Sequence, residues 1–590
     1  MPIGARRRSS AIARVAAFGL ACSVLADAGT APEAATADAI YTNGLILALD
    51  AGHSEFAAMA VSDGRIAALG TERALRRLKG PRTVVHDLAG KTVLPGFVDA
   101  HGHFPGSVIS REILVDLNSP PIGTVRGIDG LLARLAERER ALPIGAWLQG
   151  VGYDDTLLAE RRHPTRDDLD RVSKTRPIFV THVSGHLAVA NTAALALAGI
   201  DRATPSPAGG RIRHDAAGDP TGILEESALG LVSSKLPPLP QEQFLEAIRK
   251  ASLEYASMGV TTAQNGAATV DSVRLALQAA TQGELGVRLN FWLVSPDMKK
   301  ALAGEAIVPA DQGMVAVTGA KQFADGSIQG YTAYLTQPYY VPPHGDQDYR
   351  GYPRMQRDSL AAAILEFHRA RVRVAVHANG DAAIDDVLDA IEAAQQKDPW
   401  PDARHVVVHA QMARDDQLVR MAGLGVIPSF FILHTYYWGD RHRDLFIGPE
   451  RAAHISPARS ALEQGLRITL HSDTPVTPMN PLMMVWAAVN RETSGGKTLG
   501  PNERIGILQA LEGVTINAAY QERQEASRGS LEVGKLADFV ILDANPLRVD
   551  PLKIRNIRVL QTVVGGRTVF RSRTRDARRR NSRQSALAAL

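Results

Sequence analysis

Apolar runs that each stop at a histidine or an aspartate recur along this 590-residue chain, and they constrain its fold more than any other feature. The run from Thr92 to Ala100 ends at His101 and His103, Arg373 to Val376 ends at His377, Val406 to Val408 at His409, and Arg467 to Leu470 just before Asp473. Each polar residue stands where a buried parallel strand hands over to a loop. On an extended strand residues i and i+2 point to one side, so the imidazoles of His101 and His103 can reach the same metal ion. A lone His-x-His pair also occurs as ordinary satisfied polar residues. The recurrence is what favours a ligand reading.

Further strand-like runs lie at 259–263, 287–293, 315–321 and 425–430, and the intervening segments 359–371 and 381–397 carry apolar residues at three- and four-residue steps. With the runs above they make eight. Eight alternating units predict an α/β fold of the (β/α)8 TIM barrel type over 95–524, with the reactive residues at the carboxyl ends of the strands. Short alternating runs at 38–94 and again at 525–570 predict a small β-sandwich built from both chain ends. Between the first and second barrel strands, residues 104–255 form an insertion far longer than an ordinary βα connection, read as a lid over the pocket.

Composition sets the remaining bounds. With 45% hydrophobic and 22% charged residues the chain is an ordinary globular one, and its net charge of +4 has a local origin. Residues 571–590 hold seven arginines against one aspartate, which predicts a basic disordered tail and leaves the remainder slightly acidic. A nucleic-acid partner would rest on that tail alone and is not expected. Arg6, Arg7 and Arg8 precede a short apolar stretch, Val15 to Ala26, and Ala26-Asp27-Ala28 has the form of a cleavage site. The segment 1–28 is therefore read as a signal peptide cut after Ala28, placing the mature chain in the periplasm or outside the cell, without a membrane span. The single cysteine, Cys22, falls inside it. Metal ligands in the mature chain must then be nitrogen and oxygen.

Pro95-Gly96-Phe97-Val98-Asp99-Ala100-His101-Gly102-His103, Lys321-Gln322-Phe323-Ala324-Asp325-Gly326-Ser327, His377-Ala378-Asn379-Gly380-Asp381, His409-Ala410-Gln411 and Ser472-Asp473-Thr474-Pro475 together resemble the amidohydrolase superfamily. The likeness is to its family 3, the YtcJ-like branch that includes N-substituted formamide deformylases. It extends over about residues 38 to 570, where Gly529 to Asp538 resembles the returning sheet segment.

The resemblance implies two divalent ions, zinc suiting an imidazole–carboxylate shell best, with iron, manganese and cobalt as alternatives. His101 and His103 would hold one ion with Asp473, and His377 and His409 the other. Lys321 matches the lysine whose carboxylated form bridges the pair in many members. A plain lysine would repel metal, so the role requires the carbamate; the alternative is an ion pair of Lys321 with Asp325 around a single ion. Water activated by such ions would attack the scissile carbonyl, with Asp473 as general base and then acid. His186 and His434 are the candidate catalytic donors to the oxyanion.

Three stretches of the insertion, 147–154, 182–191 and 218–222, resemble signatures of the same branch, and they nominate Tyr153, Asp154 and His186 as substrate-binding residues. His182 reads better as a packing residue, and His163, His214, His344, His368 and His454 have no ligand spacing. His405 is read as structural and His471 as a neighbour of the ligands. Aromatic residues are only 5% of the chain, so their clustering at 430–438 predicts a pocket wall from Phe430, His434 and Trp438 for an aryl or alkyl group. The expected partner is a small molecule, with homo-oligomerisation open. The leading expectation is hydrolysis of a non-peptide carbon–nitrogen bond, an amide or N-formyl amine. The same site could serve retro-aldol, hydratase, decarboxylase or ester and lactone chemistry, and a non-catalytic scaffold is the third alternative.

Overall fold

The structure, a computed structural model, describes residues 36–306 and 313–572. The expected signal segment, and the basic tail beyond Ser572, lie outside the described residues.

Eight parallel strands make the central sheet: Phe97–Val98, Val260–Ala268, Arg288–Val294, Val315–Phe323, Val374–Ala378, Val406–His409, Ile427–Phe430 and Thr469–Leu470. Each pairs in parallel with the next in sequence, as an α/β barrel demands. The sheet curls until its first and last strands meet beyond their ends. There the Asp473 N–H donates to the His101 carbonyl at 3.2 Å and the His103 N–H donates to the Thr474 carbonyl at 2.7 Å.

Alternation along the strands sorts the side chains into two layers. Ala375, Val406, Val408 and Ile427 pack inside the barrel on Trp292, while Val374, Val376 and Val407 join the core shared with the surrounding helices. Both faces are covered, so these strands carry valine after valine. The helices close that outer core through positions such as Ile384, Val387, Leu388 and Ile391 of Asp381–Lys397, on one stripe at helical spacing.

The single strand expected from Thr92 to Ala100 is two strands in different sheets. Thr92–Pro95 pairs with Phe539–Leu542 and Leu45–Leu47, whereas Phe97–Val98 opens the barrel. Gly96 is the joint: a β-carbon there would lie 2.1 Å from the Thr261 methyl. Around the first of these strands, a six-stranded sheet built from both ends of the chain shares an apolar core with a four-stranded sheet of Ala39–Thr42, Ala58–Ser62, Arg65–Gly70 and Val84–Asp87. Tyr41, Met59 and Ile66 meet Val93, Phe539 and Val563 there. The two layers form a sandwich.

After the first barrel strand the chain builds a third body. Its six strands run from Val115–Asp116 to Pro220–Glu226, with apolar cores on both faces, Leu131, Leu135 and Leu158 on one and Leu195, Ile212 and Leu224 on the other. The helix Gln241–Ser257, within the range expected for the insertion, instead packs Ile248, Ala251 and Tyr255 into the barrel core. No helix among the described residues is long and apolar enough to cross a membrane.

Candidate metal centre

The barrel mouth opens into a cavity of about 330 Å³ whose floor holds His101, His103, Lys321, His377, His409 and Asp473. All six come from the carboxyl ends of strands 1, 4, 5, 6 and 8. Nε2 of His103 lies 3.2 Å, and Nε2 of His101 3.4 Å, from Oδ1 of Asp473, while Nδ1 of His409 is 4.0 Å from Oδ2. Lys321 Nζ stands 3.3 Å from His101 Nε2.

Backbone conformation, not strand alternation alone, aims two of these groups. By parity His409 belongs with Val407, facing the helices. A φ of 76° at His409 and 47° at Ala410 breaks the strand and brings the ring within 5.4 Å of His101 and 4.5 Å of His377, centroid to centroid. Asp473 likewise has φ of 53°. Left-handed backbone at residues other than glycine costs about 1–3 kcal/mol each, and it persists where surrounding structure enforces it.

Electrostatics prepare the group for a cation. Burial, reinforced by the neighbouring Lys321 and histidines, holds His101, His377 and His409 well below the usual imidazole range, in the neutral form that ligates metal. Burial pushes the Asp473 carboxyl up, but the adjacent His103, His471 and Lys321 outweigh it and leave the carboxyl below its ordinary range. Burial lowers the Lys321 ammonium to about 7.

The residues present fit a metal ion. Nδ1 of His409 and Oδ1 of Asp473 are buried without a hydrogen-bond partner, an arrangement that leaves polar atoms expensively unpaired unless a ligand takes them up. One possible ligand atom each from His101, His409 and Asp473 falls within a 4.8 Å group. His409 thus stands with the set expected for the first ion. His377, its expected partner at a second ion, turns Nε2 to the Gly326 carbonyl at 2.9 Å and to the Asn379 amide at 3.0 Å. The ion pair of Lys321 with Asp325 does not form, because Asp325 accepts the backbone N–H groups of Tyr334, Asn379 and Gly380.

Of the residues expected to bind substrate, only His186 reaches the cavity. Glu226 Oε2 lies 2.8 Å from its Nδ1, and its ring is 4.6 Å from that of His377. Tyr153 is in the core of the inserted body, its hydroxyl 3.1 Å from His163 Nδ1. Phe430 faces the helices in the barrel core, because strand parity turns it away from the mouth. His434 lies outside the cavity wall, stacked on Trp438 and 2.9 Å from His442 Nε2, so a catalytic donor role is not built here. Asp154 accepts from Trp438 Nε1 at 3.0 Å and from Arg441 at 2.7 Å. That pair fastens the insertion to the loop after strand 7 and is spent on structure.

Sequence reasoning missed the walls. Phe323 and Arg354, stacked at 4.4 Å, form one side, and Ser110, Asn118, Val151, Ser184, Pro475 and Val476 contribute elsewhere. Phe323 sits inside the quoted Lys321 motif, a signal that was available; Arg354 and Asn118 carry none.

Comparison with known proteins agrees with the geometry. The chain is 31% identical over 541 residues to an N-substituted formamide deformylase of Arthrobacter pascens, covering 90% of this chain and 97% of that one. YtcJ of Bacillus subtilis is 30% identical, over 90% of this chain and 99% of its own. A crystal structure of an uncharacterized metal-dependent hydrolase from Pyrococcus horikoshii superposes with a TM-score of 0.69 at 25% identity, over 87% of this chain and 99% of that one. Residues 84–570 match the model of the Amidohydrolase family. A group of candidate metal ligands thus stands at the barrel mouth of a metal-dependent hydrolase of non-peptide carbon–nitrogen bonds, and the chain belongs to the amidohydrolase family.

Proposed function

We propose that this enzyme hydrolyses an N-acyl or N-formyl amine bearing an apolar or aryl substituent, and that Asp473 moves the proton. The convergence of His101, His103, His409, Asp473 and Lys321 on one cavity floor carries the reading. His101, His103, His377, His409 and Asp473 would hold two divalent ions, with Lys321, as its carbamate, between them. Zinc fits the nitrogen and oxygen donors. Such ions, when bound, supply Lewis acidity towards a carbonyl and towards water.

The chain's own groups do the rest. Asp473, a carboxylate held below its ordinary range, accepts a proton from the attacking water and returns it to the departing amine. His186, whose Nδ1 lies 2.8 Å from Glu226, would donate from Nε2 to the carbonyl oxygen in the form that carries a proton on both ring nitrogens. Phe323, Val151, Val183 and Val476 give the substituent an apolar surface. Lys321 fits carbamate formation because burial leaves part of its amine neutral near pH 7 and able to add to carbon dioxide.

A panel of N-formyl and N-acyl amines, esters and lactones, run with metal-loaded and chelated protein, tests the proposal. Release of amine only by the metal-loaded enzyme is expected; no amine release from any member overturns it. Metal analysis should give about two ions per chain, and a carbamate carbon signal from labelled bicarbonate should vanish in Lys321→Ala. Export with cleavage after Ala28 belongs to the same proposal, and the mass of secreted protein decides it.

A further inference from the structure

Ser184 reaches the cavity from the insertion, and a buried hydrogen-bonded chain stands behind it. Its Oγ is 2.8 Å from His182 Nδ1, and His182 Nε2 is 3.1 Å from Asp155 Oδ1. Beyond Asp155 lies His163, 3.7 Å from Oδ2, whose Nδ1 meets the Tyr153 hydroxyl at 3.1 Å. His182 is fully buried, and Asp155 and Ser184 nearly so.

The positions of the His182 and Ser184 protons follow from Asp155. Burial raises the Asp155 carboxyl, but His163 and the hydrogen bond from His182 outweigh it and keep the group ionised. An ionised carboxylate only accepts, so His182 carries its proton on Nε2 and presents a bare Nδ1. The backbone N–H of Ser184 agrees, since it too donates to that Nδ1, at 3.2 Å. The Ser184 hydroxyl proton therefore points to His182, away from the cavity. One lone pair of Oγ receives the His186 N–H at 3.2 Å, and the other is left for whatever occupies the pocket.

We infer that Ser184 Oγ is a fixed hydrogen-bond acceptor that selects substrates carrying an N–H beside the scissile carbonyl. His182 and Asp155 act as positioning residues that lock its polarity. The assignment rests on the amide-hydrolysis reading of the cavity and narrows it to secondary amides. Tertiary amides, esters and lactones lack the donor and leave the acceptor dry and unpaired. A site built to hydrogen-bond one group discriminates strongly against analogues without it.

The test uses N-benzylformamide, N-benzyl-N-methylformamide and benzyl formate. Binding to chelated full-length protein is measured by calorimetry and turnover by the metal-loaded enzyme. Wild type should favour the N–H compound over its N-methyl partner by roughly 10- to 100-fold in either readout. Ser184→Ala should bring that ratio close to one. Asp155→Asn, which releases the His182 tautomer and lets the hydroxyl turn, should lower it while leaving circular dichroism and metal content intact; a purely structural role would weaken both compounds alike. Preferential binding without turnover keeps the acceptor assignment and sinks the hydrolysis reading. Equal handling of the pair, no binding of either compound, or an undiminished ratio in Ser184→Ala overturns the assignment.

Discussion

The barrel rim and the inserted body both crowd buried polar groups around the cavity, but they treat them in opposite ways. At the rim, His101, His409 and Asp473 converge, and Nδ1 of His409 and Oδ1 of Asp473 find no hydrogen-bond partner there. In the insertion a second group of possible ligand atoms, from Asp154, Asp155 and His182, is just as compact, yet each member already has its partner. Proximity of ligand-type residues is common to both. What separates a reactive site from a structural one is unpaired capacity.

Substitutions at the rim should remove chemistry and spare stability. Asp473→Asn is the sharpest case: kcat should fall by roughly 10²- to 10⁴-fold, the range of a lost general acid–base, with melting temperature little changed. Undiminished turnover in that variant would mean that the rim is not where protons move. In the insertion the expectation reverses. Arg441→Met leaves Asp154 buried without its cation and should cost about 3–5 kcal/mol of stability by denaturant unfolding, while metal content stays full. A rim-like result there, metal lost and stability kept, would erase the distinction.

How much of this could be read from sequence differs between the regions for the same reason. Strand ends are placed by topology, so the apolar runs located His101, His377 and Asp473 without any tertiary knowledge, whereas Lys321 was picked out by the family resemblance alone. His409 was found because it followed its run, although alternation would have turned it outward; the left-handed backbone at 409 and 410 that corrects its aim has no glycine to announce it. The insertion and the loop after strand 7 have no such frame. Phe430, His434 and Trp438 cluster in sequence, but one turns into the helical core and the others pair with His442 and Asp154. His182 reads as packing from sequence, and nothing there singles out Ser184 two residues on; their meaning depends on Asp155, whose contact is set by the fold of two neighbouring strands.

Close packing behind the rim offers a subtler probe. Gly266 donates its N–H to the Gly102 carbonyl at 2.7 Å, and a β-carbon on it would fall 2.2 Å from the His101 ring. Gly266→Ala must shift that imidazole and should weaken metal binding by roughly 10- to 100-fold, the scale seen when a ligand loses its support. Competition with a chelator measures it. Unaltered affinity would show that His101 is not a ligand whose position matters.

A charged cluster away from the cavity serves as the control for both regions. Glu503 accepts from the backbone of Arg459 and Ser460 and from the Ser460 hydroxyl, and lies 3.2 Å from His454 Nδ1. Burial raises its carboxyl, but these partners win and bring it down to about 2. A carboxylate depressed in the folded state stabilises fully above its unfolded value near 4.5, and the contribution disappears as pH falls through 2. His454 has the opposite sign: its raised value adds stability below 6.5, which is lost as pH rises through the folded value. The pair is therefore strongest between about 4.5 and 6.5. Glu503→Gln should lose about 2 kcal/mol at pH 5.5 and progressively less towards pH 2, with turnover and metal content unmoved. Should the variant instead change the rate as a rim residue does, unpaired capacity would no longer be the property that marks the reactive site.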